Sequence, residues 1–211
     1  MDKELFEKSF IDSLNKNYPE LSKYFDFKLK IFNELDTLIF EINKCLILEF
    51  HRAAITLTNH LLERLLKLAL INYEVGIGPI PVDQWNSVFE GPNKKYGSIN
   101  LGNSIDKCKD LEIITDKEHR ILFDTIRELM RNGFSHADSS KTLAGLPDEL
   151  IAFQGNFNKP GDINEVGLNQ KVIPFLQALN METFAKEASK PYFEFVFGLI
   201  FRIEKRLDER R

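Results

Sequence analysis

The chain has 211 residues, of which 43% are hydrophobic, and it carries a formal net charge of −4. This much apolar material is enough for one globular domain with a sizeable core. Residues of both charge signs are interspersed along the chain, which is typical of a folded surface. The lack of a basic excess argues against a protein that grips nucleic acid through many phosphates, because such binding depends on a strongly positive surface. DNA is therefore not an expected partner.

The amino terminus predicts a short amphipathic helix without a secretory signal. Residues 2–17 carry apolar side chains at helical spacing, and the Asn17–Pro19 stretch is expected to end that helix. No apolar signal-peptide region is present, and the longest uncharged apolar run, Phe195–Phe201, is far shorter than the roughly 20 residues that cross a bilayer. Cys45 and Cys108 lack the spacing of a metal or redox site. We therefore expect a cytoplasmic protein with no membrane contact and two free thiols.

The stretch from Glu20 to about Tyr73 predicts two or three long helices, because apolar residues recur with a helical period and almost no Gly or Pro interrupts them. Six polar residues in this part of the chain follow one another at steps of three or four and form a single stripe: Glu49, Arg52, Thr56, Asn59, Glu63 and Lys67. A helix that is apolar on the rest of its surface is expected at the centre of the fold.

Two stretches rich in Gly and Pro interrupt the helical pattern. Residues 75–98 predict an irregular insertion with at most one short helix around residues 83–89, and residues 138–179 predict a second insertion with short helices only. The last helix is expected over about residues 180–210, kinked or divided at Pro191. The sequence thus predicts an all-α bundle.

We expect a single domain over residues 1–211. Its core spans about residues 20–138 and is completed by the carboxy-terminal helix.

The helix that precedes residue 136 has a clear predicted start and end. Thr115 and Glu118 have the spacing of a capping box, and Asn132–Gly133 supplies a left-handed stop just after Arg131. In an unbroken α-helix, five steps separate Arg131 from His136 by about 140°. A turn at the glycine is therefore expected to bring the guanidinium and the imidazole together.

An arginine beside a histidine suits phosphate chemistry without a metal ion. A guanidinium binds phosphate oxygens through a fixed fork of donors, and an imidazole exchanges a proton near neutral pH. His136 is expected to take the proton from a ribose 2′-hydroxyl, and Arg131 to stabilise the charge that develops on the phosphorus group. This pair predicts cleavage of RNA with no metal and no cofactor.

The segment RNGFSH, residues 131–136, resembles the signature of the HEPN family, an Arg-x(4–6)-His motif that often has Asn after the Arg and lies within a helical bundle. ITLTNHLLERLLKLAL, from Ile55 to Leu70, is similar to the core helix that precedes this motif in the family. The resemblance extends from about Phe40 to Asp138. It implies an HEPN-like bundle in which the two Gly- and Pro-rich stretches are insertions.

The resemblance also implies a function. Family members of this type are metal-independent endoribonucleases, commonly in toxin–antitoxin, antiphage defence or RNA-processing systems, and a homodimer brings two motifs into one cleft. Transferred to this chain, the catalytic residues are Arg131 and His136, and the supporting residues are Asn132, Glu63 and Asn59. The expected partners are an RNA substrate, a second copy of the chain, and an antitoxin or defence-system protein. The expected products carry 2′,3′-cyclic phosphate ends.

Other interpretations of the same residues stay open. Arg131 can pair with Glu128 on its own helix, Asn132 and His136 can cap the helix end, and the polar stripe can simply face solvent. Because the family includes inactive members, a non-catalytic module that binds a nucleotide, RNA or a protein is the alternative function. A purely structural helical protein is the third hypothesis.

The carboxy-terminal helix leaves two further questions. Its aromatic residues can belong to the core or to a dimer interface: Phe193, Phe195, Phe197 and Phe201. Its basic end, Arg202–Arg211, can be a solvated helix end or a patch that guides RNA. The histidines outside the motif, His51, His60 and His119, lack the spacing of metal ligands, so no metal site is predicted.

Overall fold

The computed structural model describes residues 2–135, 142–156 and 159–210, without the side chains of residues 129, 131, 132, 135, 156 and 159–162. Most of this part of the chain is helical, which confirms the all-α class. The α-helices in chain order are α1 Lys3–Leu21, α2 Asp36–Ile47, α3 His51–Val75, α4 Trp85–Tyr96, α5 Leu101–Asp110, α6 Asp116–Arg120 and α7 Pro174–Asp208. A π-helix, Ile121–Ser135, continues directly from α6. Short 3-10 helices occupy Ser22–Phe25, Asn33–Leu35 and Val82–Gln84.

Helix α3 lies at the centre of the fold, as its apolar composition predicts. It packs against α2, α4, α5, α7 and the π-helix. Five of its leucines are fully buried: Leu61, Leu62, Leu65, Leu66 and Leu70. Burial of one such side chain contributes about 1.5–3 kcal/mol relative to leaving it in water, so these residues account for much of the driving force that gathers the other helices around α3.

Two helices continue past prolines at which the sequence predicts an end or an irregular stretch. Helix α1 runs through Pro19 to the buried Leu21, and its last turns are held by the Asn17 side chain, which donates to the carbonyl of Ile47 over 3.0 Å. Helix α4 lies in the first insertion, runs through Pro92 and ends at Tyr96. The prediction of only a short helix around residues 83–89 was therefore wrong.

Contacts outside each helix explain why these prolines are tolerated. A proline inside a helix removes one backbone hydrogen bond and crowds the preceding turn. At the end of α4 the ring of Tyr96 is buried, and its hydroxyl donates to the Glu74 carboxylate over 2.8 Å. Tertiary anchoring thus offsets the local cost.

The second insertion contains a β-hairpin where the sequence predicts short helices only. Strands β1 Glu149–Asn156 and β2 Lys159–Asn169 pair antiparallel, with Ile151 opposite Gly167. The apolar residues of β1 form one short continuous run, Leu150–Phe153. The prediction was wrong because so short an apolar run does not distinguish a strand from a helix by its period, and the glycines around it indicate an irregular stretch.

Helix α7 is longer than predicted and is not divided. It begins with Pro174 in its first turn, a position at which the missing N–H is harmless, and continues through Pro191. Tyr192 and Phe193, which directly follow that proline, are buried against the core. Of the two outcomes predicted for Pro191, a kink or a division, the division is not found, because packing along α3 keeps the two halves together.

The aromatic residues and the basic end of α7 both make contacts within the chain. Phe193 is fully buried, and the other three phenylalanines of the run pack partly buried against the same core. Arg202 and Arg206 bind the Glu118 carboxylate, and Arg210 donates to the carbonyl of Leu111 over 2.6 Å. These contacts favour a structural role for this part of α7.

Candidate functional site

The RNGFSH segment begins inside the π-helix. Backbone of this type extends over Ile121–Ser135, so the helix does not end at Asn132–Gly133, and that prediction was wrong. His136 lies outside the described residues, as do the side chains of Arg131 and Asn132. What the structure describes is the backbone up to residue 135 and the side chains packed beneath it.

The winding of this helix differs from the α-helix assumed for the sequence. In a π-helix the backbone hydrogen bonds join residues five apart, so two residues separated by five positions lie near the same face. An α-helix instead separates them by about 140°. Such winding is rare and is often associated with functional sites. Within Ile121–Ser135, residues five apart therefore lie near one face of the helix.

The Asn59 side chain joins three elements directly beneath the motif. It is 5% exposed, and its Nδ2 atom on α3 donates to the carbonyl oxygen of Met130 in the π-helix over 3.1 Å. The Tyr192 hydroxyl of α7 donates to its Oδ1 atom over 2.7 Å. The amide nitrogen of Asn59 therefore acts as a donor and its amide oxygen as an acceptor, as the chemistry of a carboxamide requires. Because Met130 immediately precedes Arg131, this side chain fixes the backbone from which the motif starts.

Tyr192 is the residue of this site that the sequence did not reveal. Burial raises the pKa of its hydroxyl, and the negative charge of Glu63 raises it further. Tyr192 therefore stays a neutral hydrogen-bond donor throughout the physiological pH range. The one available signal was its position, since it is a tyrosine next to Pro191 in an otherwise phenylalanine-rich run of α7.

Glu63 lies one turn after Asn59 on α3 and is half-buried. Four residues separate the two along α3, so Glu63 lies on the same face of this helix as Asn59. The structure thus joins one predicted supporting residue, Asn59, to Tyr192 and to the carbonyl of Met130, with the other, Glu63, one helical turn away. Of these two, Asn59 is buried rather than solvated, so the solvent-facing interpretation is wrong for Asn59.

The remaining members of the predicted polar stripe have separate environments. Glu49 precedes α3, has a positive φ of 60°, and pairs with Lys16 of α1 over 2.7 Å. Thr56 is exposed and binds the carbonyl of Arg52 within its own helix. Lys67 donates to the carbonyl of Gly97 over 3.1 Å. One continuous stripe is therefore not present, and only its middle part belongs to the candidate site.

The other histidines make ordinary structural contacts where the structure describes them. The Nδ1 atom of His51 lies 2.9 Å from the Ser189 hydroxyl, and burial lowers the pKa of this imidazole. His119 lies 2.8 Å from Asp106 and stacks on Phe123. Within residues 2–135, 142–156 and 159–210, His, Cys, Asp and Glu side chains nowhere gather in a group of three that could hold a metal ion.

A search of the described helices for a membrane-spanning segment found none with the necessary length and apolar character. Comparison with known proteins gave no relative: no protein-family model, no curated protein and no solved structure matches this chain. The likeness to the HEPN family therefore depends on the motif and on the helix that precedes it.

Proposed function

We propose that the protein is a metal-independent endoribonuclease of the HEPN type, with Arg131 and His136 as its catalytic residues. The observation that supports this proposal best is the buried Asn59 side chain, which binds the carbonyl of Met130 and accepts a hydrogen bond from Tyr192. This nearly fully buried carboxamide, bonded at both its nitrogen and its oxygen, holds the backbone of the residue just before the motif. Such rigid support is what a catalytic arginine needs, since small displacements of reacting groups cost large factors in rate.

The proposed reaction is transesterification within the RNA chain. The neutral imidazole of His136 takes the proton of a 2′-hydroxyl, and the 2′-oxygen attacks the adjacent phosphorus. The bond from phosphorus to the 5′-oxygen breaks, and that oxygen takes up a proton from water. Arg131 stabilises the negative charge on the phosphoryl oxygens in the transition state. The products are a 2′,3′-cyclic phosphate and a 5′-hydroxyl end.

Asn59 and Glu63 have supporting roles in this proposal. Asn59 acts through the backbone of Met130 and is a positioning residue. Glu63 supplies a carboxylate near the buried network, the type of group that orients a guanidinium. Asn132 is the third supporting residue. The active form is a homodimer that joins two motifs, and a cellular role in toxin–antitoxin or antiphage systems implies a protein partner that restrains cleavage.

The decisive experiment measures cleavage of a single-stranded RNA in excess EDTA, with identification of the new ends. We expect 2′,3′-cyclic phosphate ends from the wild-type protein. Arg131→Ala and His136→Ala should each lower the rate by about 100-fold or more, the usual contribution of a general acid–base group or of a transition-state charge. Arg52→Ala and His60→Ala are matched controls, because both side chains are exposed on α3, and their rates should stay unchanged.

Three results would overturn the mechanism: full cleavage by either motif variant, cleavage that EDTA abolishes, or ends other than cyclic phosphates. Binding of RNA without cleavage would instead favour the non-catalytic module. Light scattering on the same samples measures the mass in solution. A monomer at the concentrations at which RNA is cleaved would contradict the proposed dimer.

A further inference from the structure

A groove of about 840 Å³ runs between α3 and α4, and no residue of the proposed catalytic site is among those that line it. Its volume lies within the range of about 300–1,000 Å³ that is typical of ligand sites. The floor is apolar and is formed by Leu68 and Ile71 of α3, Phe89 of α4, and Ile31 of the segment before α2. An apolar floor of this kind holds a ligand by excluding water, and the polar rim then selects its chemistry.

The only tryptophan of the chain, Trp85, stands at this groove with 51% of its surface exposed. Its Nε1 atom donates to the carbonyl of Ile80 over 3.0 Å, which fixes the orientation of the indole ring. Phe89 follows one turn later on the same helix and also lines the groove. An exposed indole of fixed orientation is a good surface for the side chain of a lysine or an arginine, because its ring face attracts cations.

Three carboxamides line the groove: Asn72, Asn86 and Asn93. Where the structure describes the chain, no hydrogen bond involves the side chain of Asn86 or Asn93, while the Nδ2 atom of Asn72 donates to the carbonyl of Leu68 over 2.9 Å. A carboxamide combines donors with an acceptor, as a peptide group does. Several such side chains along one groove therefore match the backbone of an extended peptide.

The charged residues of the groove favour a cationic ligand. Glu34 and Glu90 contribute two carboxylates, and Arg64 contributes one guanidinium. Among the described residues none of the three has an ion-pair partner, so the lining carries one net negative charge at neutral pH. A phosphate would meet this excess of negative charge, whereas a lysine or arginine side chain would offset it.

We infer that the groove between α3 and α4 binds an extended peptide segment of a partner protein that carries lysine or arginine. The basic side chain lies on Trp85 and faces Glu34 or Glu90, and the asparagines bind the peptide backbone. This inference is independent of the proposed ribonuclease activity, since none of its residues belongs to the RNGFSH segment or to the network beneath it.

The sole tryptophan makes the test direct, because fluorescence excited at a wavelength that tyrosines do not absorb reports on Trp85 in the groove. The probe is the blocked peptide acetyl-Gly-Lys-Gly-Lys-Gly-amide, titrated into the full chain at low salt. We expect a saturable change in emission, absent with the peptide in which glutamate replaces lysine. Glu90→Gln and Asn86→Ala should each weaken binding about 3- to 10-fold, as expected for the loss of one polar contact. The matched control is Glu41→Gln, which removes an exposed carboxylate elsewhere.

Three outcomes would overturn the inference. The first is no saturable change up to peptide concentrations on the order of 10 mM, which corresponds to a binding free energy weaker than about 3 kcal/mol. The others are equal binding of the acidic peptide, and saturation by adenosine monophosphate while the lysine peptide has no effect. Circular dichroism of each variant shows that the fold is retained. RNA cleavage by the Glu90 and Asn86 variants should equal that of the wild type, so failure of the peptide site and failure of the ribonuclease proposal are distinguishable.

Discussion

Replacing Glu118 with glutamine tests whether a buried ion pair joins α6 to α7. The Glu118 side chain is 8% exposed and accepts hydrogen bonds from Arg202 over 2.7 Å and from the Nη2 atom of Arg206 over 3.1 Å. Hydrogen bonds to a charged group contribute about 1.5–3 kcal/mol each. Because the Arg202 side chain is 43% exposed and screened by water, its hydrogen bond adds only a small part of that free energy, whereas the hydrogen bond from Arg206 is counted in full. The expected loss in the free energy of unfolding at pH 7 is therefore about 2–3 kcal/mol.

The dependence on pH gives this prediction a second, independent readout. Burial alone would raise the pKa of Glu118, but hydrogen bonds from Arg206, the backbone of Thr115 and Arg202 outweigh it and hold the pKa below its ordinary value. A carboxyl group whose pKa is lower in the folded state stabilises the fold above the unfolded-state pKa of about 4.3. That contribution disappears as the pH falls through the folded-state pKa. The wild type and Glu118→Gln should therefore converge in stability at low pH.

Urea unfolding between pH 3 and pH 7 measures both effects, with the slope against urea serving as a check that the transition keeps its character. Glu112→Gln is the matched control. Its carboxylate is 87% exposed and lies 3.4 Å from Arg210 on the same side of the molecule, so its loss should cost under about 0.5 kcal/mol. The reasoning is refuted if Glu118→Gln is as stable as the wild type at pH 7, or if their difference persists unchanged at pH 3.

Three further variants or measurements test other parts of the fold. One carboxylate oxygen of Glu204 accepts three successive backbone N–H groups over 2.7 to 3.1 Å, so Glu204→Ala should lower the free energy of unfolding by about 2–4 kcal/mol, and an unchanged urea midpoint would contradict this. Burial raises the thiol pKa of both Cys108 and Cys45, but of these two only Cys108 is fully buried. A thiol reagent should therefore label Cys45 first, and Cys108 only at the rate at which the protein unfolds. Tyr192→Phe removes the hydrogen bond to Asn59 and should cost about 1–2 kcal/mol in thermal denaturation; equal stability would show that the network does not hold the π-helix.

The parts of the fold that were predictable are those that local sequence determines. The apolar composition of α3 strongly favours a central helix, and Thr115 and Glu118 form the capping box that their spacing predicts. The parts that were missed depend on contacts between distant residues. Nothing near Pro19 or Pro92 in the sequence indicates that the end of each helix is anchored by tertiary contacts. A local cost is visible in a sequence, whereas the contact that offsets it is not.

In the candidate site, too, the features set by local sequence were predictable and those set by contacts between distant residues were not. Asn59 and Glu63 were singled out because their spacing places them on one face of a helix, and in the structure they lie one turn apart on α3, where Asn59 accepts a hydrogen bond from a buried hydroxyl. The burial of Asn59 and the role of Tyr192 were missed, because they arise from the packing of α7 across α3. The π-helix was also missed, since helical winding of this kind has no distinct apolar period in so short a segment.

Helix α3 separates the two proposed sites and determines how they can influence each other. At about 100° per residue, Glu63 lies some 40° around the helix from Asn59, whereas Arg64, Leu68 and Asn72 lie about 140–220° around it. The catalytic support and the peptide groove therefore occupy nearly opposite faces of α3. The lining of the groove includes no residue of the RNGFSH segment, so we expect any effect of the peptide on RNA cleavage to be transmitted by a movement of α3 itself. Because the Asn59 side chain binds the carbonyl of Met130, such a movement would shift the backbone just before Arg131.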